Sequence, residues 1–460
     1  MGGELTAVIL AAGQGTRMKS EYPKVLHRVC GVPMVEQVTR VVRGAGFDTC
    51  VMITGFKENL VREYMDGRGI RFIHQEEQLG TGHAVMQALP EFKDHPEGYV
   101  LVVCGDTPLL REETIRLLAG ACREKNASAA VLTASVPEPF GYGRILRDES
   151  GRMMGIVEQK DGTQEQLAIH EINTGTYVFR AGDLMEALSQ ITNDNAQGEY
   201  YLTDVFEIMI REGKTVLPVE AADVDETMGV NSRLQLSKAD RILRLRKAEA
   251  LMNEGVSIVD PERTYIEQDV RVGTDTILYP GCILQGCTVV GKHCELGPDV
   301  QLTDVTCGAY TRLNRVYAHS CAIGKYNEIG PFVHLRPGTV LHDHIKIGNF
   351  VEVKNSTIGD GTKLPHLIYC GDSDLGDNVN FGCGTVTVNF DGKEKHRCVI
   401  GDHAFIGCNT NLVAPVTIGD RAFTAAGSTI TKDVPPRALA VARGRQTNIE
   451  EWVTGDTYKD

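Results

Sequence analysis

The sequence has no excess of basic residues: 47 Lys and Arg stand against 61 Asp and Glu, for a formal charge of −14. A general nucleic-acid binder needs a basic face, so that class is excluded, while a small anionic substrate in a locally basic pocket is not. There is also no apolar run near the roughly 18 residues of a membrane span, and no signal-peptide pattern opens the chain. Met1-Gly2-Gly3-Glu4-Leu5-Thr6 matches a myristoylation pattern, but Thr6 belongs to the first expected strand, so the match is read as accidental. No Cys-x-x-Cys pair occurs among the 13 cysteines, which are odd in number. Zinc clusters and thioredoxin-like motifs therefore find no support, and a reduced, cytoplasmic setting is expected. With 42% hydrophobic and 23% charged residues, the chain reads as a globular protein of two or three domains.

What is present falls into two halves. Up to about residue 230, apolar strands (6–10, 50–54, 71–74, 99–104 and 129–135) alternate with amphipathic stretches such as 34–44 and 112–125. That alternation predicts an α/β domain with a mostly parallel sheet. Residues 232–254 predict one linking helix, ended by Gly255. Beyond it the period becomes six. Val272, Leu278, Leu284, Val290, Leu296 and Leu302 form one run, and Ile323, Ile329, Leu335, Leu341, Ile347 and Val353 a second. Ile400, Ile406, Leu412, Ile418, Thr424 and Ile430 form a third. Neither helices nor hairpin sheets repeat every six residues, whereas a hexapeptide β-solenoid does, each six-residue side turning one aliphatic residue inward. Phase slips near 304–322, 356–375 and 386–399 predict loops leaving the coils, where function tends to collect.

Two elements of the first half carry chemistry. Gly13-Gln14-Gly15-Thr16-Arg17 follows the first strand but has neither the third glycine of a dinucleotide fingerprint nor the P-loop lysine spacing. It is either a tight turn or a phosphate cradle. Arg17, leaving the loop at the start of the next helix, and Lys24, after the rigid Pro23, favour a triphosphate that must release pyrophosphate. Gly105-Asp106 ends an apolar strand at the sheet edge where α/β ligands bind. Asp106 is either a turn aspartate or a Mg²⁺ ligand bridging phosphate oxygens. Similarly, His366 is either a solvent-facing histidine or a general base, and His342-x-His344 reads as a solvated corner.

The stretches LAAGQGTRM with Pro23-Lys24, QLGTGHA (78–84), GDTPL (105–109), GYGRI (141–145), IVEQKD (156–161), EINTG (171–175) and GVN (229–231) resemble the sugar-nucleotide pyrophosphorylases. Together with the solenoid, nearly the whole chain resembles the bacterial bifunctional N-acetylglucosamine-1-phosphate uridylyltransferase/glucosamine-1-phosphate N-acetyltransferase family. The resemblance implies a Rossmann-like nucleotidyltransferase domain (1–231), a linker helix (232–255), a left-handed parallel β-helix (256–437) and a C-terminal tail (438–460). It implies that Leu10, Ala11, Ala12 and Gly13 cradle UTP phosphates, that Arg17 and Lys24 act catalytically as countercharges, and that Gln75, Gly80 and Thr81 read uracil. Cys104 (where many members have tyrosine) and Gly105 line the nucleotide, and Asp106 and Asn231 hold Mg²⁺. Gly143, Glu158 and Asn173 contact the amino sugar of N-acetylglucosamine 1-phosphate.

In the second half, HLRPG (334–338), FVEVK (350–354), HLIYCGD (366–372), NVNFGCG (378–384) and NFDG (389–392) resemble the acetyltransferase site. There Arg336, Lys354, Tyr369 and Asn380 are implied to bind glucosamine 1-phosphate. His366 is the implied base, with Glu352 the candidate for orienting it. Cys383, Asn389, Phe390, Cys408, Ala426 and Arg443 are implied to line the acetyl-CoA groove. Pro365, Ile368, Cys370 and Phe390 depart from the usual pattern. The resemblance further implies a cytoplasmic homotrimer whose tail, with Arg443 and Trp452, reaches a neighbour, and a product that feeds peptidoglycan, lipopolysaccharide or teichoic acid precursors. Two rivals are another sugar-1-phosphate nucleotidyltransferase, disfavoured by the full-length solenoid, and a catalytically silent regulatory homologue, disfavoured by Lys24, Asp106 and His366.

Overall fold

Aliphatic runs buried on both faces make central strands of a parallel sheet, since helices must then cover each side. Leu5–Ala11, Thr49–Thr54, Tyr99–Cys104 and Ala129–Ser135 are such runs. A computed structural model describes residues 4–453, so Gly2 of the myristoylation pattern and residues 454–460 of the expected tail lie outside it. Across the first sheet the strands run Val216–Glu220, Ala129–Ser135, Glu171–Arg180, Tyr99–Cys104, Leu5–Ala11, Thr49–Thr54, Ile70–His74. Leu5–Ala11 is parallel to both neighbours, with Leu10 opposite Cys104, so the loops beginning at Ala12 and Gly105 leave the same edge side by side. Glu171–Arg180 runs antiparallel to both of its long neighbours. Its first residues, including Asn173, are thereby brought to the edge at which the parallel strands end.

The helix expected at 232–254 spans Arg233–Asn253, and the chain divides into compact units Met1–Leu243 and Arg244–Asp460 with the division inside that helix.

In the second unit the sixth-residue rule becomes three-sided coils. Short parallel strands stack in three ladders, represented by Ile277–Leu278, Ile283–Gln285 and Val289–Val290. All eighteen residues of the three sequence runs are buried and face one interior. Threonines fill its corners and satisfy the backbone there: the Thr276 hydroxyl donates to Gly291 O (2.8 Å) and accepts from Cys294 N (3.1 Å). All thirteen cysteines are free thiols.

Only one of the three phase slips is a loop. At 304–322 and 356–375 the ladders continue unbroken, with Cys307 opposite Ile323 and Ile358 opposite Leu375. Those sides are one residue shorter, so neighbouring coils pair at a sequence separation below the regular 18, which a six-residue count reads as a break. At 386–399 the chain does leave, since Leu375 pairs with Ile400 and the excursion is closed by a bridge between Phe390 and Lys395.

Candidate active sites

The glycine loop is built around Lys24. Gly15 has φ 66°, and a Cβ on it would lie 2.6 Å from Lys24 Cβ, so a side chain is excluded on two counts. Gly13 meets nothing within 4 Å of such a Cβ, leaving its backbone open to a ligand. One expectation is corrected here. The loop is followed by a single 3₁₀ turn, Thr16–Met18, and a second, Lys24–Leu26, rather than a helix. A helix dipole therefore contributes little, and countercharge must come from Arg17 and Lys24. Arg17 is exposed and makes no hydrogen bond or ion pair among the described residues.

The edge loops enclose a cavity of about 320 Å³. Leu10, Ala11, Ala12, Gly13, Lys24, Gln75, Gly80, Thr81, Cys104 and Asp106, all expected from the sequence, line it. Gly105 N donates to Leu10 O (2.9 Å), which locks the two strand ends together. Gln75 donates to Gly80 O at 3.3 Å and also meets His83 Nδ1 at 3.1 Å. Four lining residues, Val25, Gln78, Ala84 and Glu199, were given no role from the sequence. Gln78 donates to Ala12 O (2.8 Å) and so props the glycine loop; it opens the quoted QLGTGHA stretch, which was the available signal.

At the mouth of this cavity the Lys24 ammonium is bound by the Asp106 carboxylate and by Asn231 Oδ1 (3.0 Å), the two groups expected to hold the metal. Residues 82 and 207 positions from Lys24 thus aim hard oxygens at one cation. Two such oxygens, with substrate phosphates completing the shell, are the kind of donor set that suits Mg²⁺. Asp106 O also accepts from Val230 N (2.8 Å), tying the GVN segment to the strand end.

The three residues expected at the sugar lie together. Asn173 N donates to Gly143 O (2.9 Å), and a Cβ on Gly143 would sit 3.4 Å from both Glu158 carboxylate oxygens. Asn173 Nδ2 donates to the buried Tyr177 hydroxyl (2.8 Å), and the Thr203 hydroxyl donates to Glu158 (3.1 Å). Burial, aided by the Asp161 charge, pushes the Glu158 carboxyl above its ordinary value against the Thr203 bond and Arg144. Cys104 joins this group to the cavity described above, its sulfur 3.6 Å from the Cβ position of Gly175. Burial and the Asp106 charge push its thiol up to about 12, so it is a neutral wall rather than a nucleophile.

In the solenoid, Lys346–Lys354 and Lys363–Gly371 each bend round one corner, at Phe350 and Leu367. Just before the corner, His366 pairs with Asn349. Gly384 N donates to His366 O (3.4 Å), Asn409 N to Cys383 O (2.7 Å) and Gly427 N to Cys408 O (2.8 Å). His366, Cys383, Cys408 and Ala426 therefore form a column up the corner, and Arg443 donates to Ala426 O (3.1 Å). Asn380 pairs with Lys363 on the His366 side. Past the corner, His334, Glu352 and Tyr369 stand in register, flanked by Arg336 and Lys354.

Within one chain Glu352 does not orient His366. Its carboxylate binds Arg336 Nη1 (2.8 Å), and it lines a groove of about 780 Å³ with Tyr369, whereas His366 lines a separate cavity with Pro365. The corner turns the two side chains onto different faces. Among the described residues the His366 imidazole has no side-chain partner. Of the departures, Cys370 points into the interior and Phe390 begins the excursion.

Two residues given no role from the sequence belong to this region. Asp372 accepts from Asn355 Nδ2 (2.6 Å) and from Asn389 Nδ2, and lies 3.7 Å from Lys354 Nζ. Burial raises its carboxyl, but the bonds from Asn355 and Asn389 and the Lys354 charge outweigh this and hold it below its ordinary value. Lys395, on the excursion, is held below its ordinary value by its contact with Lys354 and the charge of that ammonium.

Residues 7–172 match the MobA-like NTP transferase domain, and residues 397–432 match the bacterial transferase hexapeptide (six repeats). The chain is 50% identical over 447 residues to the "Bifunctional protein GlmU" of Geobacillus sp. (strain WCH70), covering 97% of each chain. It is 50% identical over 448 residues to the protein of the same name from Halalkalibacterium halodurans, covering 97% of this chain and 98% of that one. The likeness to the GlmU of Listeria monocytogenes serotype 4b (strain CLIP80459) is 48% over 442 residues, 96% of each.

Proposed function

The chain belongs to the family of bifunctional GlmU proteins, enzymes that join a uridylyltransferase to an acetyltransferase, and from that membership we propose which residues carry each reaction. The acetyltransferase half acetylates glucosamine 1-phosphate from acetyl-CoA, and the nucleotidyltransferase half then joins the product to UTP with release of pyrophosphate. The product supplies precursors of cell-envelope polymers, and the enzyme works in the cytoplasm.

In the first half the loop from Leu10 to Gly13 offers backbone N–H groups to the triphosphate, with Gln75, Gly80 and Thr81 at the uracil. Gly143, Glu158 and Asn173 seat the sugar so that its phosphate attacks the α-phosphorus in line. Asp106 and Asn231 would hold Mg²⁺, which supplies charge screening at the phosphate oxygens. Lys24 and Arg17 take up the negative charge that moves onto pyrophosphate. Positioning and charge neutralisation carry such a transfer without a covalent intermediate. The observation that carries this reading is the convergence of Asp106 and Asn231 on one cation at the mouth of the cavity.

In the second half His366 accepts a proton from the glucosamine ammonium. The freed amine attacks the thioester carbonyl, the C–N bond forms, the C–S bond breaks, and coenzyme A leaves as the thiol with the second proton lost by the amine nitrogen. An imidazole suits this task because its ordinary pKa lies near working pH. Arg336, Lys354, Tyr369 and Asn380 hold the sugar phosphate, and Cys383, Asn389, Phe390, Cys408, Ala426 and Arg443 line the acetyl-CoA groove. The enzyme acts as a homotrimer in which a neighbour completes this site. In support, Arg336, Lys354 and Tyr369 lie round a corner from His366, and Leu439 on the last strand and Val441, Ile449 and Trp452 after it stand exposed.

The test supplies glucosamine 1-phosphate, acetyl-CoA, UTP and Mg²⁺ and follows coenzyme A and pyrophosphate separately. Asp106→Ala abolishes pyrophosphate formation and spares coenzyme A release. His366→Ala does the reverse when N-acetylglucosamine 1-phosphate is supplied. Loss of both outputs in either folded variant refutes the two-site assignment.

A further inference from the structure

Asp372 poses a problem of sign. It is a carboxylate, 4% exposed, placed 3.7 Å from Lys354, a lysine assigned above to a sugar phosphate. By charge alone it opposes the binding of a phosphate dianion, and a buried charge is costly to keep unless it is fully bonded. Its bonds are unusually complete. The side chain accepts from Asn355 one coil below and from Asn389 at the root of the excursion, and its own N–H donates to Lys354 O (2.9 Å). Asn389 in turn lies 3.4 Å from the Tyr369 hydroxyl. One buried carboxylate thus ties together residues 354, 355, 369 and 389, which the sequence spreads over successive coils.

We propose that Asp372 is a positioning residue for acetyl transfer: from inside the corner it fixes the Lys354 ammonium and the Asn389 amide, and through Asn389 the Tyr369 hydroxyl, at the separation that the sugar phosphate and the acetyl donor require. The inference rests on the assignment of Lys354 and Asn389 to those substrates. Asp372 touches neither substrate. Among the described residues its carboxylate is the acceptor that Lys354 and the Asn389 Nδ2 group have in common, and both of those groups can only donate.

The two effects of Asp372 predict opposite results, which makes the inference testable. Asp372→Asn removes the charge at constant shape, and its amide cannot accept from every donor that the carboxylate serves. If charge decided, KM for glucosamine 1-phosphate would fall. Positioning predicts that KM rises by about tenfold or more, the scale of losing a hydrogen bond to a charged group. Pyrophosphate formation at the other site stays within about twofold, a change on the scale of noise in such energies. In a Lys354→Ala background the same substitution raises KM less than it does in the native chain, because coupled residues are not additive, and the remainder acts through Asn389 and Tyr369. A second variant, Asn355→Gly, leaves Asp372 in place, removes one of its donors without adding charge at a left-handed position (φ 45°), and raises the same KM even if Asp372→Asn fails to fold. An unchanged or lowered KM in a folded Asp372→Asn enzyme overturns the proposal, as does a full effect in the Lys354→Ala background. Lys354→Ala with unaltered KM is a different failure, that of the phosphate assignment beneath it.

Discussion

Lys24 occupies the place where a metal ion is proposed to bind, and this gives a prediction whose sign runs against intuition. The ammonium donates to Asp106 and to Asn231 Oδ1 at 3.0 Å, and the Lys24 and Asp106 side chains are only 13% and 14% exposed. A divalent ion entering between those two oxygens must first break that pair. A hydrogen bond to a charged group contributes about 1.5–3 kcal/mol net. At about 1.4 kcal/mol per tenfold, competition by Lys24 weakens metal binding to the nucleotide-free enzyme by about 10- to 100-fold. Lys24→Met keeps the length of the side chain and removes its charge and donors. The expected outcome is Mg²⁺ affinity about 10- to 100-fold higher in the absence of UTP, measured by titration calorimetry. Pyrophosphate formation in the same variant falls by about 10²-fold or more, the scale of removing one preorganised charge from a transition state. Tighter metal with slower chemistry is the signature of an ammonium that gives up its place to the metal and moves onto phosphate. Unchanged or weaker Mg²⁺ affinity in folded Lys24→Met would refute the shared-site reasoning.

Two further outcomes follow from burial. The Asp204 carboxyl is raised from 3.8 to about 6 by burial and by the neighbouring Glu207, Glu158 and Asp161 charges. Between those two values the folded state binds more protons than the unfolded one, so stability falls as pH rises through the window and the full cost is present above it. Asp204→Asn should therefore stabilise the first half by about 1–2 kcal/mol at pH near 8, after discounting for solvent screening, and give no gain near pH 3.5. Thermal melts at the two values check it, and equal gains at both would show that charge is not the cause. In the solenoid, Leu302 is fully buried and stacked between Leu284 and Ala318. Leu302→Ala should cost about 2–5 kcal/mol in urea unfolding while leaving pyrophosphate formation unaltered, and a smaller loss would mean that the coils close over the cavity.

The fold was legible wherever a period fixes which side chains face inward. The strands at 99–104 and 129–135 and the helix at 34–44 end where the pattern ends, because apolar alternation and burial are the same constraint seen in sequence and in space. Eighteen solenoid residues were legible for the same reason. The shortened sides at 304–322 and 356–375 were not, because deleting one residue at a corner and inserting a loop disturb the period alike. Only strand register separates them.

Sequence by itself determined the two halves, their order and the residue types at each site, since these follow from periodicity and from motifs that are local in the chain. Tertiary structure alone decided which groups meet. It put Lys24, Asp106 and Asn231 on one point, turned Glu352 away from His366 toward Arg336, and buried Asp372 among donors from neighbouring coils. Those contacts join residues as much as 207 positions apart, and the direction of a side chain at a corner depends on backbone angles that no spacing encodes.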